Sequence, residues 1–208
     1  MISTISIISI VVASVALFIS ALSAWLTLLR RGTVQMTRPT VIYFGPDGSP
    51  QVPERPGQKV YLRALLYGTS KQGRILESMF VRLRRGESAQ NFNIWVYGDT
   101  DLSRGSGLFV GENGVATNHH FLLPADGTHF EFLAGQYTLE VYASLVGGNG
   151  TLCLFSTRLE ISNDIATMLR QPDHGVYFDW GPDSNKYHPH VREHKKLELP
   201  RFLRELAG

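Results

Sequence analysis

Tyr137–Leu145 reads YTLEVYASL. Tyr137, Leu139, Val141, Ala143 and Leu145 fall on one side of an extended chain, and Thr138, Glu140, Tyr142 and Ser144 on the other. A period of two marks a β-strand with one face in a core and the other toward water. The same alternation occurs upstream. Val60, Leu62, Ala64 and Leu66 share one side with Arg63 opposite, and Ile75, Met79, Val81 and Leu83 share one side with Arg82 and Arg84 opposite.

Further strands are expected at Val34–Phe44, Asn91–Tyr97, Leu108–Val110, Thr117–Leu123, Phe130–Leu133 and Leu152–Ile161. Glycines at 68, 73, 86, 98, 105, 107, 111, 114, 127, 135, 147 and 148 separate these runs. Short strands punctuated this regularly predict an antiparallel β-sandwich. No long segment of helical period lies between them, which argues against an α/β fold. Leu133-Ala134-Gly135-Gln136-Tyr137 leads into the clearest strand. It resembles the tyrosine corner of immunoglobulin-like sandwiches, in which a tyrosine hydroxyl bonds back to the upstream backbone. The resemblance covers about a dozen residues, implies an immunoglobulin-like fold and implies no function.

The N-terminal sequence belongs to a different solvent. Residues 2–29, ISTISIISIVVASVALFISALSAWLTLL, contain no charged side chain. A helix of about 20 apolar residues crosses a bilayer core, so this run predicts a transmembrane anchor. Its serines and threonines can bond to carbonyls one turn back. Trp25 suits the headgroup layer, and Arg30 and Arg31 end the apolar run. A cleaved signal peptide is the alternative, with Ala21-Leu22-Ser23 as a small-residue cleavage site. The long apolar run with no preceding Lys or Arg favours the anchor. With Arg30, Arg31 and Arg38 on its C-terminal side, the positive-inside rule puts the N-terminus outside and the following domain in the cytoplasm. A periplasmic or extracellular domain is the alternative. Cys153 is the single cysteine, which excludes an intrachain disulfide framework and suits a reducing compartment. Ala16, Ser20 and Ala24 are four apart, a small-residue face through which two anchors could form a homodimer.

Four regions follow: an anchor at 1–31, a juxtamembrane strand and Pro/Gly loop at 32–58, a β domain at 59–162 that includes the strand at 34–44, and a tail at 163–208. Asn163-Asp164 is expected to cap a short helix over Ile165–Arg170, and Pro200 to open a last one. The stretch between them is rich in turn residues and aromatics and reads as irregular. Tyr177, Phe178, Trp180 and Tyr187 there either pin the tail to the domain or form a partner-binding patch.

His188, His190 and His194, with His174 and Asp183 nearby, are the densest set of metal-ligand types, and imidazoles suit zinc, copper or nickel. Their spacing matches neither HExxH nor paired CxxC motifs. Asn118-His119-His120 lies in an expected strand, so its two imidazoles point to opposite faces. Cys153 sits in an apolar run and is expected to be a small buried hydrophobe. Gly105-Ser106-Gly107 and Gly147–Gly150 lack the lysine and following helix of a phosphate loop and read as turns. Two basic groups, Arg82/Arg84/Arg85 and Arg192/Lys195/Lys196, join Arg30 and Arg31 as candidates for anionic headgroups. A net charge of +2 gives no electrostatic case for nucleic acid.

The chain therefore reads as a membrane-anchored, non-catalytic protein-binding module or accessory subunit without a cofactor. Its expected partners are the lipid bilayer and another protein. The alternative is a metal-binding protein or small metal-dependent enzyme built on the histidine-rich tail.

Overall fold

The computed structural model describes residues 4–30, 32–47, 57–99, 102–124 and 130–193. Helix α1 spans Thr4–Ala24 and closes in a π-helical turn, Trp25–Leu29. Ser14 and Thr27 bond back to the carbonyls of Ile10 and Ser23, so these hydroxyls are satisfied inside the helix. The rest is mostly β. The strands are β1 (Val34–Met36), β2 (Val41–Pro46), β3 (Gln58–Gly68), β4 (Arg74–Arg85), β5 (Ser88–Phe92), β6 (Ile94–Tyr97), β7 (Ser103–Arg104), β8 (Leu108–Val110), β9 (Val115–Leu122), β10 (Gly135–Leu145), β11 (Thr151–Ile161), β12 (His174–Gly181) and β13 (Lys186–Glu193). A short helix α2, Asn163–Met168, separates β11 from β12.

Two antiparallel sheets result. One runs β13-β12-β2-β3-β9-β6-β7, with β1 also paired to β3. The other runs β11-β10-β4-β5, with β8 also paired to β4. The alternating apolar residues of both enter a single core: Val60, Leu62 and Leu66 from β3, Val81 and Leu83 from β4, Leu139 and Val141 from β10. Phe44 of β2 meets Tyr137 of β10 edge-on across it, with ring centroids 6.2 Å apart.

The Tyr137 hydroxyl donates to the Leu133 carbonyl at 2.8 Å, the bond that its sequence context suggests. Several other expectations need correction. Val34–Phe44 is interrupted at Thr37–Thr40, where Pro39 has no N–H for the ladder. Asn91–Tyr97 is two strands in different sheets. Phe92 and Trp95 are both buried but of opposite parity, so no single straight strand could send both inward. Phe130–Leu133 is not a strand. Instead Phe132 stacks on Phe44 at 5.0 Å and lies parallel to Phe92 at 6.3 Å, plugging the space between the sheets. The α2 helix is capped by Ser162, whose Oγ accepts from Ile165 N, rather than by Asn163 or Asp164.

The largest departure is at residues 174–193. They are not irregular: β12 pairs with β2 and β13 extends the sheet. Val176 and Phe178 are buried, while Tyr177 and Asp179 face outward. This is the same period of two, concealed in sequence by flanking glycines and aromatics. Cys153 is exposed rather than buried. It lies on edge strand β11, and a bulge between Val141 and Tyr142 sets it opposite Tyr142 on the outer face. The helix expected after Pro200 lies outside the described residues.

Tyr137→Phe deletes the part-buried bond to the Leu133 carbonyl. It is expected to lower stability by about 1–2 kcal/mol, read as a lower urea midpoint of Trp fluorescence.

Candidate functional site

The outer face of the larger sheet carries a row of rings. Register sets His190 beside Tyr177, Tyr177 beside Tyr43, Tyr43 beside Tyr61, and Tyr61 beside His120, across β13, β12, β2, β3 and β9. Tyr177 stacks on His190 at 5.5 Å, Tyr43 tilts against Tyr177 at 4.7 Å, and Tyr61 tilts against His120 at 4.9 Å. Cross-strand aromatic pairs of this kind stabilise a sheet. Tyr43, at the centre of the row, is covered, while Tyr177, Tyr61, His120 and His190 are half-buried. Two glycines make room for the row. A Cβ on Gly45 or Gly175 would run into the Tyr43 ring, which lies flat over both.

Cations flank the rings. Lys59 lies 5.8 Å from the Tyr43 centroid and Arg192 5.5 Å from that of Tyr177. Arg63 pairs with Asp99 at 3.0 Å and bonds Asn118, which also accepts from the Tyr61 hydroxyl. Burial pushes the Lys59 amine below its usual range, against a smaller opposing effect of Asp47. Burial, with the Lys59 charge second, takes His120 down to about 4. Burial also raises the Tyr43 hydroxyl.

His188 and His190 are two apart on β13 and project from this same face. His190 Nδ1 is 3.1 Å from Asp179 Oδ2, and its buried Nε2 has no hydrogen-bond partner. His188 Nε2 is 2.7 Å from Ser184 Oγ. That serine sits exposed in the turn between β12 and β13 and also bonds the Gly181 carbonyl, so the contact locks a turn. Among the described residues no group of three His, Cys, Asp or Glu side chains could hold a metal ion. His194 lies outside the described residues, as do Arg31, Lys195 and Lys196.

The aromatic cluster divides between the two faces of the hairpin. Tyr177 joins the outer row, whereas Phe178 is in the core against Phe44 at 5.2 Å. Trp180 packs edge-on against Tyr187 at 5.1 Å, with the Arg38 guanidinium 3.9 Å over the indole. Tyr187 donates to the Pro39 carbonyl and Arg38 to Asn185. These contacts pin the hairpin to the β1–β2 bend. An open cleft of about 980 Å³ lies between edge strands β11 and β13, lined by Arg158, Glu160, Trp180, Lys186 and His188 among others. Sequence reading missed the ring row because its members come from four strands besides β13; each strand alone shows only a tyrosine or histidine on its polar side.

Of the paired histidines, His119 faces the core, fully buried, and accepts from the Trp95 indole N–H at 3.2 Å. The basic groups are dispersed. Arg82 lies over Tyr142, Arg84 is 3.4 Å from Glu140, and Arg85 donates to the Ala134 carbonyl. Trp25 is exposed on the last turn of the N-terminal helix, and Ala16, Ser20 and Ala24 are exposed on α1. No family model, curated protein or solved structure matches the chain.

Burial, with His120 second, holds His119 at about 4, below its ordinary 6.5. The unfolded chain therefore takes up this proton first as pH falls. Stability is full above about 6.5 and declines toward 4, by on the order of 3 kcal/mol from this residue. His120, lowered to a similar value, adds a slope over the same window, so urea midpoints should fall across it and His119→Gln should make the fall shallower without abolishing it.

Proposed function

We propose that the protein is a single-pass, membrane-tethered and non-catalytic binding module whose two sheets form an immunoglobulin-like sandwich. The observation that carries this reading is the helix itself. Ser6–Thr27 is long and apolar enough to cross a membrane, and none of its apolar window is buried inside the chain. A core helix of a water-soluble protein would pack against something. Here Ile8, Val12, Leu17 and Phe18 are each more than half exposed. Leaving such a surface in water is costly, and a bilayer removes the cost.

The junction supports a fixed presentation. Gly32 N donates to Ser70 Oγ at 3.1 Å, Thr33 N to Thr69 Oγ1 at 2.8 Å, and Thr69 N to the Thr33 carbonyl. The domain thus begins within a few residues of the helix exit. On this reading Arg30 and Arg31 hold it on the cytoplasmic side. The face with Ala16, Ser20 and Ala24 is available to a second copy. Tyr177 and Tyr61, half-buried on either side of the covered Tyr43, offer a partner protein rigid rings beside cations, the combination enriched in binding hot spots. The Tyr137–Leu133 bond favours the immunoglobulin-like assignment.

A metal-binding role is the second reading, favoured by the unpartnered His190 Nε2 near His188. Zinc titration calorimetry of the full chain should give heat that disappears in the His188→Ala/His190→Ala double variant; no heat in the parent chain removes this reading.

Membrane fractions washed with alkaline carbonate should retain the chain at its full 23.2 kDa mass. Val12→Asp with Val15→Asp should release it, since each central charge costs about 2.5–3.5 kcal/mol on insertion scales. A carbonate-soluble parent, or a product shortened by the helix, defeats the anchor.

A further inference from the structure

We infer that the end of the β domain beside the helix is itself a lipid-binding surface: Ile75, Phe109 and Val146 enter the headgroup layer, and Lys71 and Arg74 contact lipid phosphates. This rests on the anchor proposed above and adds a second, independent membrane contact.

The topology gathers these residues. The chain crosses from one sheet to the other through Thr69–Gly73, directly after the helix junction. Ile75 pairs with Phe109 across β4 and β8. Val146 N donates to the Ile75 carbonyl at 3.0 Å, and Arg74 Nη2 donates to the Val146 carbonyl at 3.2 Å. Phe109, Val146 and Ile75 are 57%, 52% and 43% exposed, so three large apolar side chains of adjoining segments face outward together. The arrangement is built in. Gly73 has φ of +63° and its backbone lies under the Phe109 ring, where a Cβ would come within 2.6 Å of Cζ. The ring therefore rests on the turn, and cannot sink into the core beneath it.

The depth of this surface follows from the helix. A crevice of about 350 Å³ between helix and domain is lined by Leu26, Thr27, Arg30, Thr69, Lys71 and Glu112. The Thr69–Lys71 turn is therefore level with the last helical turns. With Ser6–Thr27 in the bilayer, residues beside Leu26–Arg30 lie in the interface. Lys71 and Arg30 are exposed there, Arg74 is half-buried, and Glu77 and Glu112 are the acidic groups nearby. Apolar side chains ringed by cations are the composition that seats a surface in the headgroup region. A water-facing domain end gains nothing from exposing Phe109, and the bilayer is the partner that the tether already places against it.

The full chain, with Cys153→Ser and one new cysteine at a time, can be labelled with a polarity-sensitive fluorophore. It is then reconstituted in phosphatidylcholine–phosphatidylglycerol vesicles containing acyl-chain-brominated lipid. Ala16→Cys reports the anchor, Val146→Cys the domain end, and Glu87→Cys the β4–β5 turn at the opposite end of β4. Quenching is expected at 16 and 146 and not at 87, with the signal at 146 reduced several-fold by Lys71→Glu with Arg74→Glu. Quenching at 16 alone, or equally at 146 and 87, overturns the lipid contact while sparing the anchor. Absence of quenching at 16 overturns the anchor itself. Buried Trp95 fluorescence checks that each labelled chain is folded.

Discussion

Two sheets must hide their alternating apolar faces against each other, and neither can do so alone. Leu62, Leu66 and Phe44 on one side need Val81, Leu139 and Val141 on the other. Once that pairing is made, every second residue of every strand is committed outward. The outer ring row and the apolar domain end are both consequences of this commitment. Tyr43 and Tyr61 cannot turn inward without sending Ile42, Phe44, Val60 and Leu62 into water, a loss of several buried apolar side chains at about 1.5–3 kcal/mol each. A tyrosine at these positions must find its contacts outside the core, and it does so with the tyrosine of the next strand.

The same constraint explains which parts of the fold were legible from sequence. β3 and β10 are long and alternate cleanly, so their positions follow from hydrophobic period alone. Irregular pairing breaks the period on their neighbours: Ile75 of β4, expected inward beside Met79, faces outward while Leu76 is buried, and Cys153 of β11 is exposed. Other failures fall where the chain leaves one sheet for the other. At Phe92–Trp95 the parity of buried residues changes, and a change of parity in sequence is the signature of a crossing. At Phe130–Phe132 two rings that look like a strand instead fill the gap between the sheets. The β12–β13 hairpin was hidden because Gly175, Gly181 and Pro182 suggest turns, while Pro189 suggests that no strand is present. Pro189 is tolerated because β13 is an edge strand among the described residues.

Sites were less legible than strands, for a geometric reason. The basic triplet Arg82/Arg84/Arg85 is conspicuous in sequence but lies at the far end of β4 from the helix. With about 3.3 Å of rise per strand residue, Arg85 is roughly 35 Å from Arg74. Lys71 and Arg74 are inconspicuous in sequence and lie beside the helix exit. What decides which cation meets a headgroup is the direction of the strand, which composition does not encode. The imidazoles show the same limit: His119 and His120 are neighbours in sequence yet occupy the core and the outer surface, and His120 shares its surroundings with Tyr61.

A tether and a rigid junction do different physical things. A flexible linker raises local concentration near the membrane but leaves every face of the domain free to approach it. Here the bonds from Gly32 and Thr33 to Ser70 and Thr69 continue the β1–β3 pairing almost to the helix, and the final turn is π-helical. Wider turns of this kind mark places where a helix is interrupted for a local reason. With α1 in a bilayer, as proposed, the domain would be held with one end toward the lipid and the ring row on a side wall, as β2, β3 and β9 extend away from the helix exit. A partner reaching Tyr177 and Tyr61 would approach alongside the membrane. Lipid contacts at Phe109 and Val146 would restrict the domain's tilt, and so set the height above the bilayer at which that partner is met.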